Sequence, residues 1–230
     1  MAPLRVLCIH GYRQNGASFR DKTGALRKLL RKQVELVYLS APLCVPRNSH
    51  QEVIAKETDE AAAPGPTGDE DHRGWWFSDI QARSFSAQQQ CDQSLGLDES
   101  LATVREAVQS QGPFDGVLGF SQGAALVAML CSLQEQKLER DFSFRFAILV
   151  AGFRSACNEH QVFYKSLLQM PSLHVFGLED RVIPDSMSRE LLPLFQDPQV
   201  LIHPGGHFVP AASAHRQTYH DFLEISMTQT

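Results

Sequence analysis

The stretch Val117-Leu118-Gly119-Phe120-Ser121-Gln122-Gly123 decides how this chain is read. It is a Gly-x-Ser-x-Gly pentapeptide entered from an apolar run and followed by Ala124-Ala125-Leu126-Val127-Ala128-Met129-Leu130. That setting predicts a strand, a sharp turn and a helix, with Ser121 at the apex. A serine held there has a strained backbone, and the strain lifts its hydroxyl clear of the sheet. The glycines answer crowding, since a Cβ at Gly119 or Gly123 would collide where strand and helix pass. The helix starting near Gln122 aims free N–H groups and its positive dipole end at the same spot. The pentapeptide alone arises by chance in chains rich in Gly and Ser. The strand before it and the helix after it make Ser121 a candidate nucleophile.

Outward from this stretch, apolar runs and helical patterns alternate. Leu4 to Ile9 reads as a strand and runs into the turn-rich loop His10-Gly11-Tyr12-Arg13-Gln14-Asn15-Gly16. A helical pattern follows, with Leu26, Leu29 and Leu30 on one side and a possible break at Gly24, and then a second strand from Val34 to Leu39. Further strands are expected at Phe144 to Val150, Ser172 to Phe176 and Val200 to Ile202. Helices are expected at about Asp98 to Gln111, Pro184 to Phe195 and Ala211 to Ile225. The strands are apolar throughout rather than alternating, as when helices cover both faces of a sheet. The expectation is one α/β domain over residues 1–230, with about six mainly parallel strands. A long stretch after the second strand, residues 42–95, shows no sustained period and reads as an insert or lid. Within it, Trp75, Trp76 and Phe77 stand side by side in a polar segment. They either anchor the insert or line a substrate pocket.

The totals exclude several classes. The 230 residues are 43% hydrophobic and 20% charged, the proportions of an ordinary globule with a full core. A net charge of −5 argues against nucleic-acid binding. No apolar run is long enough for a membrane span. Arg5 interrupts the first apolar stretch, unlike a signal peptide, so a cytoplasmic location is expected, with the nucleus also open. The five cysteines include no Cys-x-x-Cys pair, so zinc and thioredoxin chemistry are not expected; no cofactor is expected. The oligomeric state is left open.

Chemistry in such sheets gathers at the carboxyl ends of the strands. Ser121, Asp180 and His207 each follow a strand, in that chain order. A serine hydroxyl needs a base to take its proton. A histidine can take it and return it to a leaving group, while a carboxylate behind the imidazole fixes its tautomer. Backbone N–H groups of Tyr12 and Gln122 would receive the developing oxyanion. Glu179 and Asp185 compete with Asp180 as the acid. His203 competes with His207, but Pro204-Gly205-Gly206 rules out the regular helix that a His-x-x-x-His metal pair needs. His10 and His174 read as scaffold residues.

With these pieces placed, the chain resembles the FSH family of serine hydrolases within the α/β-hydrolase superfamily. The resemblance runs nearly end to end. It rests on His10-Gly11-Tyr12-Arg13-Gln14-Asn15-Gly16, Gly74-Trp75-Trp76-Phe77, Gly112-Pro113-Phe114-Asp115-Gly116, Gly119-Phe120-Ser121-Gln122-Gly123, Asp180 with Ile183-Pro184, and Gly205-Gly206-His207-Phe208-Val209-Pro210. It implies a metal-free carboxylesterase working through Ser121, Asp180 and His207 on a small-molecule ester, by way of an acyl-serine intermediate. Some relatives cleave thioesters, so a thioesterase or protein deacylase is the alternative. A ligand-binding α/β-hydrolase module without chemistry is a further one, although no triad member is missing. If Trp75, Trp76 and Phe77 wall an apolar channel, medium- to long-chain alkyl or acyl groups are expected.

Overall fold

The computed structural model describes residues 2–47 and 71–228. In chain order it contains β1 (Leu4–Ile9), α1 (Gly16–Lys22), α2 (Gly24–Leu30), β2 (Val34–Leu39), β3 (Leu43–Cys44) and β4 (Arg73–Gly74). There follow α3 (Leu97–Gln111), β5 (Gly116–Phe120), α4 (Gln122–Glu135), β6 (Phe146–Val150) and β7 (Ser172–Gly177). The chain closes with α5 (Asp185–Leu191), β8 (Gln199–His203) and α6 (Arg216–Thr228). Six strands form one sheet in the order β2-β1-β5-β6-β7-β8, and every neighbouring pair is parallel. Every residue of β5, β6 and β7 is buried, so both faces of the sheet are covered. From Gln122 to Leu133, α4 is buried on all sides, as expected of a helix apolar all round its axis. This is the α/β-hydrolase fold.

The order places a topological switch point between β1 and β5. The chain first moves outward from β1 to β2, then returns to build β5 on the other side of β1. Ligands bind in the crevice outside the strand ends at such a point. Several expected boundaries shift: β6 begins at Phe146 rather than Phe144, and β8 runs from Gln199 to His203 rather than Val200 to Ile202. The pattern over residues 184–195 divides into α5 and a 3₁₀ turn at Leu192–Leu194. The closing helix begins at Arg216 rather than Ala211, because Ala212 is extended and Ser213–His215 forms a 3₁₀ turn. The Tyr219 hydroxyl donates to the Pro210 carbonyl and folds that turn back on the helix (2.8 Å). The expected break at Gly24 is real: Thr23 ends α1 and caps α2.

The described ends of the 42–95 stretch meet. β3 and β4 pair antiparallel, and residues 48–70, with the alanine run and most of the acidic cluster, lie outside the described residues. Phe77 and Leu95 exchange backbone hydrogen bonds of 2.9 and 3.1 Å. Among the described residues no helix is long and apolar enough to cross a membrane.

Candidate active site

Ser121 sits between β5 and α4 with φ 56° and ψ −119°, a backbone that L residues rarely adopt. The geometry enforces it. A Cβ on Gly123 would lie 2.2 Å from the Ile9 carbonyl oxygen and 2.4 Å from that of His10, and one on Gly119 would lie 2.4 Å from the Gly123 oxygen. The end of β1 and the start of α4 therefore touch backbone to backbone. The Ser121 N–H donates to Val150 O (2.9 Å), which ties the elbow to β6.

Asp180 and His207 come from the loops after β7 and β8. Those loops are joined by backbone bonds: Leu178 N–H donates to His203 O and Glu179 N–H to Gly205 O, both at 3.0 Å. Such an approach needs glycine at the end of β7, since a Cβ on Gly177 would meet the Gly205 oxygen at 2.2 Å. Asp180 Oδ1 accepts from the Val182 and Ile183 N–H groups at 2.9 and 2.8 Å. Its Oδ2 lies 2.7 Å from His207 Nδ1. A carboxylate so placed accepts, so Nδ1 carries the proton and Nε2 is left free on the far side of the ring. The carboxylate side chain is 1% exposed and the imidazole 19%. The carboxylate is thus sealed from water while the imidazole remains reachable.

The His207 ring rests on the Phe120 ring with centroids 4.6 Å apart, which sets the imidazole beside the residue that precedes Ser121. Among the described residues no hydrogen bond joins Ser121 Oγ to His207; contacts of this kind tighten when substrate is seated. The competing acids are placed elsewhere. Asp185 pairs with Arg189 along α5 (2.9 Å), and Glu179 is exposed. His203 is buried against Phe208 and takes the Gly205 N–H on Nδ1 (3.2 Å).

Tyr12 occupies the loop after β1. The flanking amides are engaged: Gly11 N–H with Gln14 Oε1 (2.7 Å), Arg13 N–H with Arg73 O (2.8 Å) and Gln14 N–H with Gly11 O (3.2 Å). The Tyr12 N–H has no protein acceptor among the described residues. The Gln122 N–H is the first of α4 and lies in the turn whose donors have no helical acceptor. His10 fixes this loop from beneath. Its Nδ1 donates to Gly11 O (2.7 Å) and its Nε2 accepts from the Ala41 N–H (2.9 Å). Burial pushes its pKa down to about 4, so it stays neutral.

Trp75, Trp76 and Phe77 do not form a wall that a ligand can touch. Their exposures are 0%, 1% and 0%. They are anchors. Trp75 Nε1 donates to His10 O (2.8 Å), and the buried Gln122 amide grips the segment at both ends, with Oε1 on Trp75 N–H (2.8 Å) and Nε2 on Trp76 O (2.9 Å). The Ser100 hydroxyl donates to Trp75 O (2.5 Å). The sequence reading used Gln122 for its backbone alone. The signal for its second task was a polar side chain opening a helix otherwise apolar all round. Exposed apolar side chains do stand next to the acid and the base in the chain: Leu178, Val182 and Phe208.

Among the described residues one group offers three metal-type donors within 4.8 Å of one another, Cys157, Glu159 and His160. Those donors are already engaged. His160 bonds to the Ser155 and Ser94 hydroxyls at 2.6 and 2.8 Å, and Glu159 accepts from the Ser94 N–H and hydroxyl, both at 2.7 Å. The set reads as a satisfied polar network.

Comparison with known proteins bears on this geometry. The model of a serine hydrolase family (FSH1) matches residues 1–219. Esterase OVCA2 of Danio rerio is 67% identical over 223 residues, covering 96% of this chain and 97% of the relative. Esterase OVCA2 of Homo sapiens is 47% identical over 226 residues, covering 96% of each. Among solved structures, acyl-protein thioesterase 2 of Zea mays superposes with a TM-score of 0.62 at 14% identity, over 99% of this chain and 95% of that one. SOBER1 of Arabidopsis thaliana gives 0.59 at 12% identity, over 99% and 100%. These two likenesses are of fold. By the match of its family model over nearly the whole length, and by the identity of its relatives, the chain belongs to the FSH1 family of serine hydrolases.

Proposed function

We propose that the protein hydrolyses carboxylic esters through an acyl-serine intermediate, with Ser121 as nucleophile, His207 as general base and acid, and Asp180 as the group that orients His207. The observation that carries this reading is the buried Asp180–His207 pair laid against the strained Ser121 elbow. The esterase names of its relatives support the substrate class. In the first step Ser121 Oγ bonds to the ester carbonyl carbon as its proton passes to His207 Nε2. The negative charge collects on the carbonyl oxygen, where the Tyr12 and Gln122 N–H groups donate to it. His207 then hands the proton to the departing alkoxide, and the acyl group stays on Ser121. Water repeats the sequence, losing its proton to His207 and releasing the acid.

We propose further that the preferred esters carry medium to long alkyl or acyl chains. The support is that, whereas the tryptophans are buried, Leu178, Val182 and Phe208, neighbours in the chain of Asp180 and His207, are exposed apolar side chains. Each methylene they cover adds about 0.8 kcal/mol of binding. Two experiments test the reading. A fluorophosphonate probe should label the wild type and not Ser121→Ala; an unlabelled wild type would end the nucleophile assignment. A series of p-nitrophenyl esters should show kcat/KM rising from acetyl to decanoyl. A flat series would remove the chain-length proposal, and faster turnover of matched thiol esters would move the enzyme to the thioesterases.

A further inference from the structure

Away from the serine, two thiols face each other. Cys91 lies on the arm that returns from the 42–95 stretch, and Cys157 opens the turn after β6, yet the two form an isolated parallel β-bridge. Paired strands lie about 4.8 Å apart, inside the window of about 4.4–6.8 Å that a disulfide requires between Cα atoms. Partners across a parallel bridge send their side chains to the same side, and the Cys157 thiol already reaches this arm, donating to Asp92 O (3.5 Å). The register does not depend on the thiols. Asn158 N–H donates to Cys91 O (2.8 Å), Glu159 N–H to Asp92 O (3.2 Å) and Asn158 Nδ2 to Asp92 Oδ1 (2.6 Å). Both thiols are free; Cys91 is half-buried and Cys157 is buried.

We propose that Cys91 and Cys157 are a disulfide-forming pair, a redox-modification site that staples the return arm to the turn after β6. The oxidant class is a peroxide. The half-exposed Cys91 thiol gives its proton to solvent and the thiolate attacks hydrogen peroxide; an S–O bond forms as the O–O bond breaks, and the hydroxide that leaves takes up a proton from solvent to become water. The Cys157 sulfur then attacks the Cys91 sulfur. The S–S bond forms, the S–O bond breaks, and the oxygen departs as water with the Cys157 proton. The two thiols lose two electrons, the peroxide gains them, and the products are one disulfide and two waters. The staple acts on the arm that holds Phe77 through Leu95, and beside the turn whose His160 meets the Trp76 ring edge-on at 5.5 Å. It makes no use of Ser121, so it stands whether or not the ester reading does.

The test is peptide mapping of the full-length protein after hydrogen peroxide or dithiothreitol, with free thiols alkylated under denaturing conditions. The expected result is a linked peptide pair containing Cys91 and Cys157 in the peroxide sample, absent after dithiothreitol. Peroxide should also raise the thermal midpoint of the wild type by several degrees and leave Cys91→Ser unmoved. Recovery of both residues alkylated after peroxide would overturn the proposal, as would linkage of either to Cys44. Protection from alkylation that EDTA abolishes and dithiothreitol does not would assign the pair to a metal and overturn it equally.

Discussion

At Ser121 a backbone cost coincides with the proposed nucleophile. Its φ of 56° lies where non-glycine residues are costly, and what holds it there is contact between the ends of β1 and α4. Ser121→Ala should keep the fold and lower kcat by roughly a million-fold, as where triads have been dissected. Near-normal turnover of p-nitrophenyl esters by that variant would show another nucleophile. Asp180→Asn tests the tautomer argument. An amide accepting from both Val182 and Ile183 through its oxygen turns its NH₂ toward His207 and favours the wrong tautomer. A loss of about 10⁴ in kcat is expected, and a drop of less than tenfold would remove Asp180 from the machinery. The elbow at Ser121 and the meeting of Asp180 with His207 were legible in sequence because each residue sits in a short motif with a local cause: an elbow, a turn that caps its own carboxylate, a glycine loop. His10 was legible only as scaffold. What it holds, the Ala41 N–H, is 31 residues away, and no local pattern announces it.

At the scale of elements, α4 serves both the site and the insert. The Gln122 side chain is the rivet between them, reaching Trp75 and Trp76 across 47 and 46 residues. Gln122→Ala would leave one buried N–H and one buried C=O without partners, at about 1–3 kcal/mol each. We expect urea unfolding to show a loss of about 2–6 kcal/mol, together with faster proteolysis near residue 75. An unchanged midpoint would mean that the tryptophans hold by packing alone. This is also where sequence reading misplaced a function. Three adjacent aromatics in a polar segment have no period, so nothing local says whether they face a pocket or a core. The strands and helices were easier, because buried parallel strands are uniformly apolar and helices repeat every three to four residues. The helix ends at Arg216 and Leu191 escaped because three-residue 3₁₀ turns are too short for their period of about 3 residues to be told from an α-helix by sequence.

Over the whole molecule, folding has buried several histidines in neutral form, and this sets how the protein meets acid. His10 is held down to about 4 and His174 to about 3, both chiefly by burial. Burial also lowers His160 and His203. In the unfolded chain each titrates near 6.5. Between about pH 6.5 and 4 the unfolded state therefore binds protons that the folded state refuses, and stability falls as pH falls through that window. Above it the contribution is fully present. His10 and His174 alone take up nearly two protons on unfolding at pH 5, a slope of roughly 2 kcal/mol per pH unit. Urea midpoints measured from pH 7.5 to 4 should be level at the top and drop steeply below about 6.5. His174→Leu loses the Ser172 hydrogen bond, which lowers its plateau, but its slope between pH 6 and 4.5 should be shallower by about one proton's share, roughly 1.4 kcal/mol per pH unit. The slope separates titration from packing, because a cavity or a lost hydrogen bond shifts the curve at every pH alike. A variant slope equal to the wild type's would mean that His174 is already protonated in the folded state, and acid unfolding would then have to start from other groups.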